Sequence, residues 1–262
     1  MISSTANARV KNVILLQKKA KERIEQGLFV IEGKKMFGEV MRDAPQEISE
    51  VYVTEEFLSD ASQAAALSGI SYETVTQSVM KAMAETMEPQ GILALVRIPR
   101  FDKKKLWENP RGLFVALENL RDPGNLGTIL RTSEAAGVSG ILLSKESVDI
   151  YNPKVIRSTM GAIFRVPHFY AEDFLGELAE MKKKGATLYA AHLSGTMDYD
   201  EPSYEGRNVI LIGNEANGLT PEATALANCL VRIPMEGKTE SLNAAVATAL
   251  LVYEGYRRRR KA

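Results

Sequence analysis

The segment "NVILIGNEANGL", residues 208–219, runs from a block of apolar residues into a loop that contains two glycines. A continuous apolar run is typical of a strand inside a parallel sheet that is covered on both faces. Glycines after such a strand let the backbone turn sharply or lie close to a ligand. The loop lacks the third glycine of G-x-G-x-x-G, and Leu219 stands where a P-loop has lysine. The segment therefore predicts a buried strand that leads into a ligand loop of another kind.

Apolar runs alternate with helical patterns through the rest of the C-terminal part. The other expected strands are "GLFVALENL" (112–120), "VSGILLS" (138–144), "AIFRVPHFY" (162–170), "TLYAAHL" (187–193) and "CLVRIP" (229–234). Helices are expected at 126–136, after Asn152-Pro153, and at 241–258. This alternation predicts an α/β domain with a mostly parallel sheet, in which ligands bind beyond the carboxyl ends of the strands. The loops "RDPGN" (121–125), 213–219 and "PMEGKTES" (234–241) lie at such ends.

The N-terminal part predicts a smaller α/β unit. A helical pattern covers 7–26, and short strands and helices alternate from 28 to 98. The segment "PRFDKKKLWENPRG" (99–112) breaks this alternation with prolines and a lysine cluster. We therefore expect an N-terminal domain at 1–98, a linker at 99–111 and a C-terminal domain at 112–262.

The composition excludes several classes of protein. The single cysteine excludes an internal disulfide, and one cysteine with two distant histidines gives no metal-ligand spacing. There is no run of 18 apolar residues and no signal-type N-terminus, so we expect a cytoplasmic protein.

The charges are balanced overall but unevenly distributed. Residues 1–35 carry eight basic and three acidic side chains, whereas residues 36–100 carry four basic and ten acidic ones. Such separation produces a local field that attracts phosphates, although a solvated helix face explains the basic run equally well. The candidate RNA-binding residues are Arg9, Lys11, Lys18, Lys19, Lys34 and Lys35, and 103–105 would extend this basic track.

Three loops resemble the motifs of a known family. The segments "ENLRDPGNLGTILRTSEAAG" (118–137), "LIGNEANGL" (211–219) and "IPMEGKTESLNAAVATALLVYE" (233–254) resemble, in order and spacing, the motifs of the SpoU/TrmH methyltransferases of the SPOUT class. "STMGAIFRVP" (158–167) is similar to the family's intervening segment. "FVIEGKKMFGEVM" (29–41) and "PQGILALV" (89–96) resemble the ribosomal-protein-like domain with which many members bind substrate.

This resemblance implies a fold and an activity. The fold is a C-terminal α/β domain with a deep trefoil knot, preceded by a smaller α/β RNA-binding domain. The activity is S-adenosylmethionine-dependent methylation of a ribose 2′-hydroxyl in RNA, most readily ribosomal RNA. The sulfonium carbon is already electrophilic, so the implied reaction requires no metal. The resemblance also implies a homodimer that buries the final helix.

The cofactor residues follow from their positions in the motifs. By resemblance, the second and third loops hold the methionine and adenosine parts of a bent S-adenosylmethionine, largely through backbone groups. The expected contacts are Leu193, Gly213, Asn214, Gly218, Ile233, Met235 and Leu242. Taken singly, the apolar members also fit a hydrophobic core, and the glycines also fit plain turns.

The catalytic residues implied by the resemblance are Asn125, Arg131, Glu215, Ser241 and Asn243. The family role of Arg131 is to handle the ribose hydroxyl proton. A guanidinium with a pKa above about 12 is a poor base, so holding a phosphate or stabilising oxyanion charge is the alternative role. Glu215 would orient Arg131 or Asn125, or act as a base if its pKa were raised. Ser241 also fits a cap of the final helix.

Three other functions compete with ribosomal RNA methylation. A tRNA ribose methyltransferase would use the same chemistry. A non-catalytic RNA-binding or ribosome assembly factor would keep the fold without needing the five polar residues. A nicotinamide-dependent oxidoreductase would require the missing G-x-G-x-x-G.

Overall fold

The computed structural model describes residues 1–261; residue 262, at the end of the predicted C-terminal domain, lies outside the described residues. Residues 1–100 contain, in chain order, α1 (Ala8–Lys18), α2 (Ala20–Gln26), β1 (Leu28–Glu32), α3 (Lys34–Asp43), β2 (Ile48–Val53), α4 (Glu55–Ser59), α5 (Ala61–Ala65), β3 (Glu73–Thr74), α6 (Gln77–Met83) and β4 (Ile92–Arg97). The later elements are α7 (Lys103–Trp107), β5 (Leu113–Leu117), α8 (Pro123–Ala135), β6 (Gly140–Ser144), α9 (Pro153–Thr159), β7 (His168–Ala171), α10 (Phe174–Lys183), β8 (Thr187–Ala191), β9 (Met197–Asp198), β10 (Asn208–Ile212), α11 (Pro221–Leu226), β11 (Cys229–Arg232) and α12 (Ala244–Lys261).

The chain forms two compact units. The first unit combines Met1–Arg100 with Asp149–Phe164, and the second combines Phe101–Val148 with the chain from Arg165 onward. The segment Asp149–Phe164 therefore packs with the first unit, although the predicted C-terminal domain, 112–262, includes it. The predicted linker, 99–111, contains the short helix α7.

The first unit is an α/β fold around a four-stranded sheet of order β1-β4-β2-β3. Strand β4 is antiparallel to β1 and β2, and β3 is parallel to β2. Helix α1 contributes the fully buried Val10, Val13 and Leu16, and these pack with α6 and the sheet in one core. Their spacing of three residues places them on one face of α1, as the sequence predicted.

The predicted helix at 7–26 is in fact two helices. Lys19 is extended, with φ −122° and ψ 113°, and separates α1 from α2. The Arg23 guanidinium donates hydrogen bonds to the carbonyls of Leu16 and Gln17, the latter at 3.1 Å. These carbonyls belong to the last turn of α1, where the helix leaves its acceptors unsatisfied. Arg23 therefore stabilises the break.

The second unit is built on a parallel sheet of seven strands, in the order β7-β6-β5-β10-β8-β11-β9. Helices α7, α10 and α11 contribute to a core cluster on one face, which includes Phe114 of β5. Helix α12 packs against α8 and β10, and Gly255 approaches Leu113 on the opposite face. The sheet is thus covered on both sides, which explains its continuous apolar strands.

Several predicted elements differ from the structure. The expected strand at 162–170 is a 3₁₀ turn, Ala162–Phe164, followed by β7. The expected final helix at 241–258 begins at Ala244 and extends to Lys261. Helix α10 was not predicted. Within residues 1–261, no helix is both long and apolar enough to cross a membrane, and His, Cys, Asp and Glu side chains form no group of three with metal-binding geometry.

Candidate active site

Three loops of the second unit meet at the carboxyl edge of the parallel sheet. Strand β10 pairs with β5 on one side and β8 on the other, so the ends of these strands lie side by side. The loop after β5 leads into α8, the loop after β10 is the glycine loop at 213–219, and the loop after β11 leads into α12. This is the edge at which α/β sheets bind their ligands.

A chain of side-chain hydrogen bonds connects the three loops. The Asn243 side-chain amide donates to the Asn125 carbonyl oxygen at 2.8 Å, and the Asn125 amide donates to Glu215 at 3.0 Å. Glu215 also accepts from the backbone N–H of Arg121 at 3.1 Å and of Asp122 at 3.0 Å. Three of the predicted catalytic residues therefore form one network, although Asn125 and Asn243 are 118 positions apart in the sequence.

The environment of Glu215 favours its charged form. Desolvation alone would raise the pKa of this carboxyl group, but the hydrogen bonds from the Asn125 side chain and from the backbone outweigh it, so the pKa is lowered. A general base would require a raised pKa. The structure thus supports the orienting role of Glu215 towards Asn125 and disfavours the base role.

The glycine loop folds into a tight hairpin. Asn214 and Gly218 exchange two backbone hydrogen bonds of 3.0 and 2.9 Å, and Gly218 adopts a left-handed φ of +68°. A Cβ on Gly213 would lie 2.1 Å from the Gly218 carbonyl carbon. A glycine is therefore required at position 213, because the two sides of the loop pack closely there. This packing fixes the exposed backbone edge of the loop.

Two residues that the sequence did not identify hold this loop in place. The buried Glu118, directly after β5, accepts hydrogen bonds from the backbone N–H and the hydroxyl of Thr220, at 2.8 and 2.7 Å. The carbonyl of Asn119, which has a strained φ of +56°, accepts from the Asn214 side chain at 2.8 Å. The sequence offered one signal for Glu118, an acidic residue directly after a buried strand. A carboxylate is rarely buried without partners, so this position indicates a tertiary hydrogen bond.

The loops after β10 and β11, together with the loop after β8, surround a cavity of about 640 Å³, which we call the loop cavity. All seven predicted cofactor residues line it: Leu193, Gly213, Asn214, Gly218, Ile233, Met235 and Leu242. Leu193 is 66% exposed, Met235 and Leu242 are each 36% exposed, and Ile233 is only partly buried, so these side chains do not form a core. Glu215 and Ser241 also reach the wall, together with His192 and Asn217, which the sequence had not singled out.

Asn243, not Ser241, caps the final helix. Its side-chain oxygen accepts from the backbone N–H of Ala245 at 2.9 Å and of Val246 at 3.3 Å. Ser241 lies two residues earlier, is exposed, and makes no hydrogen bond within residues 1–261. The capping interpretation of Ser241 is therefore wrong, and its hydroxyl is free at the cavity wall.

Arg131 lies on α8, six residues beyond Asn125, which corresponds to a rise of about 9 Å along the helix axis. Its side chain is exposed, and its guanidinium forms no hydrogen bond or ion pair within residues 1–261. The structure therefore does not join Arg131 to Asn125 or Glu215. It leaves five N–H donors available to an external anion.

The basic residues proposed for RNA binding differ in their surroundings within the first unit. Arg9 forms ion pairs with Glu50 and Glu73 at 3.1 and 3.0 Å and lies over the ring of Tyr52, so its charge is largely compensated. The remaining predicted residues, Lys11, Lys18, Lys19, Lys34 and Lys35, are exposed. Lys34 and Lys35 occupy the first turn of α3, where the helix dipole adds to their positive charge.

Known proteins share both parts of this architecture. Residues 112–253 match the SpoU rRNA Methylase family, and residues 7–94 match the MRM3-like substrate binding domain. The chain is 31% identical to the 23S rRNA (guanosine(2553)-2′-O)-methyltransferase RlmP of Bacillus subtilis, over 96% of this chain and 97% of that protein.

Two solved structures agree with the fold along nearly the whole chain. An AdoMet-bound rRNA methyltransferase from Sinorhizobium meliloti superimposes with a TM-score of 0.83 at 30% identity, covering 98% of this chain and 97% of that one. An RNA 2′-O ribose methyltransferase superimposes with a TM-score of 0.84 at 31% identity, covering 99% of each chain. The family match spans more than half of the residues and includes all three loops of the network, and so the chain belongs to the SpoU rRNA methylase family.

Proposed function

We propose that the protein transfers a methyl group from S-adenosylmethionine to a ribose 2′-hydroxyl of ribosomal RNA. The observation that carries this proposal is the Asn243–Asn125–Glu215 network beside the loop cavity. It ties the loop after β5 to the loops after β10 and β11, which line one concave space at the ligand edge of the sheet. The relatives named as ribosomal RNA or RNA 2′-O-methyltransferases support the same reaction and substrate.

The loop cavity fits S-adenosylmethionine in size and in chemistry. A volume of about 640 Å³ lies within the range of small-molecule sites, roughly 300–1,000 Å³. Leu193, Ile233 and Leu242 would supply apolar walls, and the backbone of the glycine loop would supply polar contacts. When bound, the donor supplies an electrophilic methyl group on a sulfonium. The S. meliloti relative has AdoMet bound, which supports this assignment.

On the substrate side, Arg131 is the group that would meet the RNA. Its guanidinium is exposed and has no partner among the described residues, which suits a phosphate next to the target ribose, where it would position the hydroxyl and stabilise developing negative charge. The Ser241 hydroxyl lies at the cavity wall, where it would accept a hydrogen bond from the ribose or donate one to it. The Asn243 amide donates to the Asn125 side chain and the Asn125 amide donates to Glu215, and these bonds would hold the loops beside this space in place.

We assign RNA binding to residues 1–98 and methyl transfer to 112–262. The match of residues 7–94 to a substrate-binding domain supports the first assignment. Within it, Lys11, Lys18 and Lys19 offer exposed charge for phosphate contacts. Arg9 contributes less, because two carboxylates already compensate its charge.

The knot, the dimer and the cytoplasmic location remain predictions. Strand β11 lies between β8 and β9 and pairs with both, and the chain then returns so that α12 packs against α8 and β10, a path that suits a trefoil knot. An apolar groove of about 860 Å³ on α12 suits a second copy of the chain. A cytoplasmic location agrees with ribosomal RNA as the substrate.

The test combines donor binding with mapping of the product. Purified protein should bind S-adenosylhomocysteine in calorimetry and should not bind NAD. With labelled S-adenosylmethionine and unmodified large-subunit ribosomal RNA, label should appear at a single ribose 2′-oxygen, located by resistance to alkaline cleavage. Binding of NAD alone, or label on a base, would contradict the proposal.

A second measurement tests the N-terminal assignment. Replacing Lys11, Lys18 and Lys19 together by Gln should weaken RNA binding and flatten its salt dependence, because each lost phosphate contact removes about 0.9 from the log–log slope. Arg9→Gln should change that slope less than any single lysine replacement. An unchanged slope in the triple variant would remove the lysines from the interface.

A further inference from the structure

A second cavity lies at the opposite edge of the parallel sheet from the loop cavity. It has a volume of about 330 Å³ and is lined by Arg111, Arg258, Arg259, Glu205 and neighbouring backbone; we call it the arginine cavity. Arg111 precedes β5, 203–206 precede β10, and Arg258 and Arg259 lie in the last turn of α12. The five-residue strands β5 and β10 separate the two cavities by about 16 Å of sheet, and the cavities share no lining residue.

Of the three guanidinium groups, only Arg258 is compensated by a carboxylate of the described residues. It forms an ion pair of 2.8 Å with Glu254 and donates to the carbonyl of Asp200. Arg111 and Arg259 form no ion pair within residues 1–261. The acid of the cavity wall, Glu205, forms none either, so it lies beyond 4 Å of every cation in that part of the chain.

The charge of Arg259 is poorly accommodated by the protein alone. Its Nη1 is buried and has no hydrogen-bond partner among the described residues. Burial and the nearby charge of Arg111 both lower the pKa of Arg259. A buried donor without an acceptor and two like charges in one cavity each cost free energy. The C-terminal end of the α12 dipole also attracts a positive charge such as Arg259. That attraction does not explain why Arg111, on another element, lies in the same cavity. It also does not explain why the Arg259 nitrogen has no partner among the described residues.

We propose that the arginine cavity binds a phosphate group and that this phosphate belongs to the backbone of the RNA substrate. Arginine forks bind phosphate oxygens in pairs, so one phosphate would satisfy Arg111 and Arg259 together. In the sequence, Arg258 and Arg259 belong to a run of five basic residues at 257–261, and such a run favours a polyanion over a single free ion. This inference rests on the proposed RNA substrate and adds a contact at the edge of the sheet remote from the chemistry.

The test measures RNA affinity as a function of salt concentration, without methyl transfer. The probe is an unmodified large-subunit ribosomal RNA transcript, and the variants are Arg111→Gln, Arg259→Gln and, as a charge-matched control, Lys183→Gln on the exposed side of α10. Loss of one phosphate contact should make the log–log slope less negative by about 0.9 in both arginine variants but not in the control. Arg111 is exposed, so its replacement tests the cavity even if Arg259→Gln fails to fold.

A second arm distinguishes RNA from free phosphate. Thermal unfolding without RNA is compared in sodium phosphate and in sodium chloride at equal ionic strength. If phosphate raises the midpoint of wild type but not of Arg111→Gln, while the RNA slopes agree, the cavity binds inorganic phosphate. If neither the slopes nor the midpoints differ between wild type and Arg111→Gln, the proposal is overturned. If wild type fails to bind the transcript at all, the proposed substrate is wrong, and the midpoints still decide whether the cavity binds phosphate.

Discussion

At the scale of single residues, Glu215 joins the glycine loop, which lines the loop cavity, to the loop after β5. Its carboxylate accepts from the Asn125 side chain and from the backbone N–H groups of Arg121 and Asp122. An exposed carboxylate that accepts several N–H donors is stabilised in its charged form. Glu215 therefore makes the arrangement of these loops sensitive to protonation.

Replacing Glu215 by Gln should weaken the loop arrangement and its pH dependence. The folded-state pKa of Glu215 is lowered, so its contribution to stability is present above the ordinary value of 4.5 and is lost as pH falls through the lower folded value. Denaturant unfolding should show the variant less stable than wild type near neutral pH, with the gap closing as the pH falls below 4.5. A gap that does not depend on pH would show that the charge of Glu215 is unimportant.

Replacing Arg131 by Ala should impair catalysis without affecting donor binding. Its guanidinium is exposed, lies outside the loop cavity and has no partner in the described part of the chain, so we expect kcat to fall by about 10²–10³, the effect of removing one charge-stabilising donor. The free energy of unfolding should change by less than about 0.5 kcal/mol.

The control for Arg131 is Lys, which keeps the charge but not the fork and should recover part of the rate. Affinity for S-adenosylhomocysteine should stay at the wild-type value in both variants. Full activity of Arg131→Ala would end the catalytic assignment.

At the scale of elements, the sequence predicted what depends on local pattern. The buried strands β5, β6, β8 and β10 were recognised, because each is a short apolar run between polar loops. Helix α10 was missed: Gly176 stands in its first turn, while its start depends on Asp173, whose side chain accepts from the Gly176 N–H at 2.9 Å. The break at Lys19 was missed because it depends on Arg23. This side chain donates to the carbonyls that the break leaves without helical partners, a contact that only the folded chain makes.

The same division holds for the candidate site. The motifs predicted that Asn125, Glu215 and Asn243 belong to the site. Which of these side chains hydrogen-bond to each other depends on the tertiary structure and could not be predicted. The partnership of Glu118 with Thr220, 102 residues apart, could not be predicted from either segment alone. Arg9 shows the opposite case: its basic character suggested RNA binding, and the fold pairs it with Glu50 and Glu73, so that its contact with RNA stays a prediction.

The glycine loop offers a test of backbone packing. In Gly213→Ala the new Cβ would lie 2.1 Å from a backbone carbon of Gly218, so the hairpin must open or shift. Affinity for S-adenosylhomocysteine, measured by calorimetry, should fall by at least about 10-fold, which corresponds to roughly 1.4 kcal/mol. The control is Gly38→Ala on α3, where a Cβ would meet nothing within 4 Å and should leave affinity unchanged. Equal affinity in both variants would show that the hairpin geometry is not needed.

The ion pair between Arg23 and Asp149 should be a main determinant of stability in the first unit. Arg23 is 3% exposed, and its Nε donates to Asp149 at 2.8 Å. Asp149→Asn removes one charge and leaves the other buried, so we expect a loss of about 3 kcal/mol in the free energy of unfolding. Glu25→Gln, which breaks an exposed pair with Lys21, should cost less than about 1 kcal/mol. Similar losses in the two variants would contradict the buried role.

At the scale of the whole molecule, the exposed face of α12 requires an explanation. Val246 and Tyr253 are 49% and 45% exposed and line a groove of about 860 Å³ with Ala249 and Leu250. A contiguous apolar groove on a surface is typical of a protein interface. The opposite face of the same helix packs against α8 and β10, so α12 would join the active-site scaffold directly to a partner subunit.

A charge placed in this groove should therefore dissociate the proposed homodimer. In Val246→Arg, an unpaired guanidinium would be buried at the interface, and we expect the dissociation constant of the dimer to rise by about 100-fold or more, that is, by about 2.7 kcal/mol. Light scattering after size-exclusion chromatography would report the mass at each concentration. Ile24→Arg makes the same kind of change at an exposed position of α2 and should leave the mass unchanged. Val246 is already half-exposed, so the variant subunit should stay folded by circular dichroism. A folded Val246→Arg protein with the mass of wild type at every concentration would show that this face of α12 is not the subunit interface.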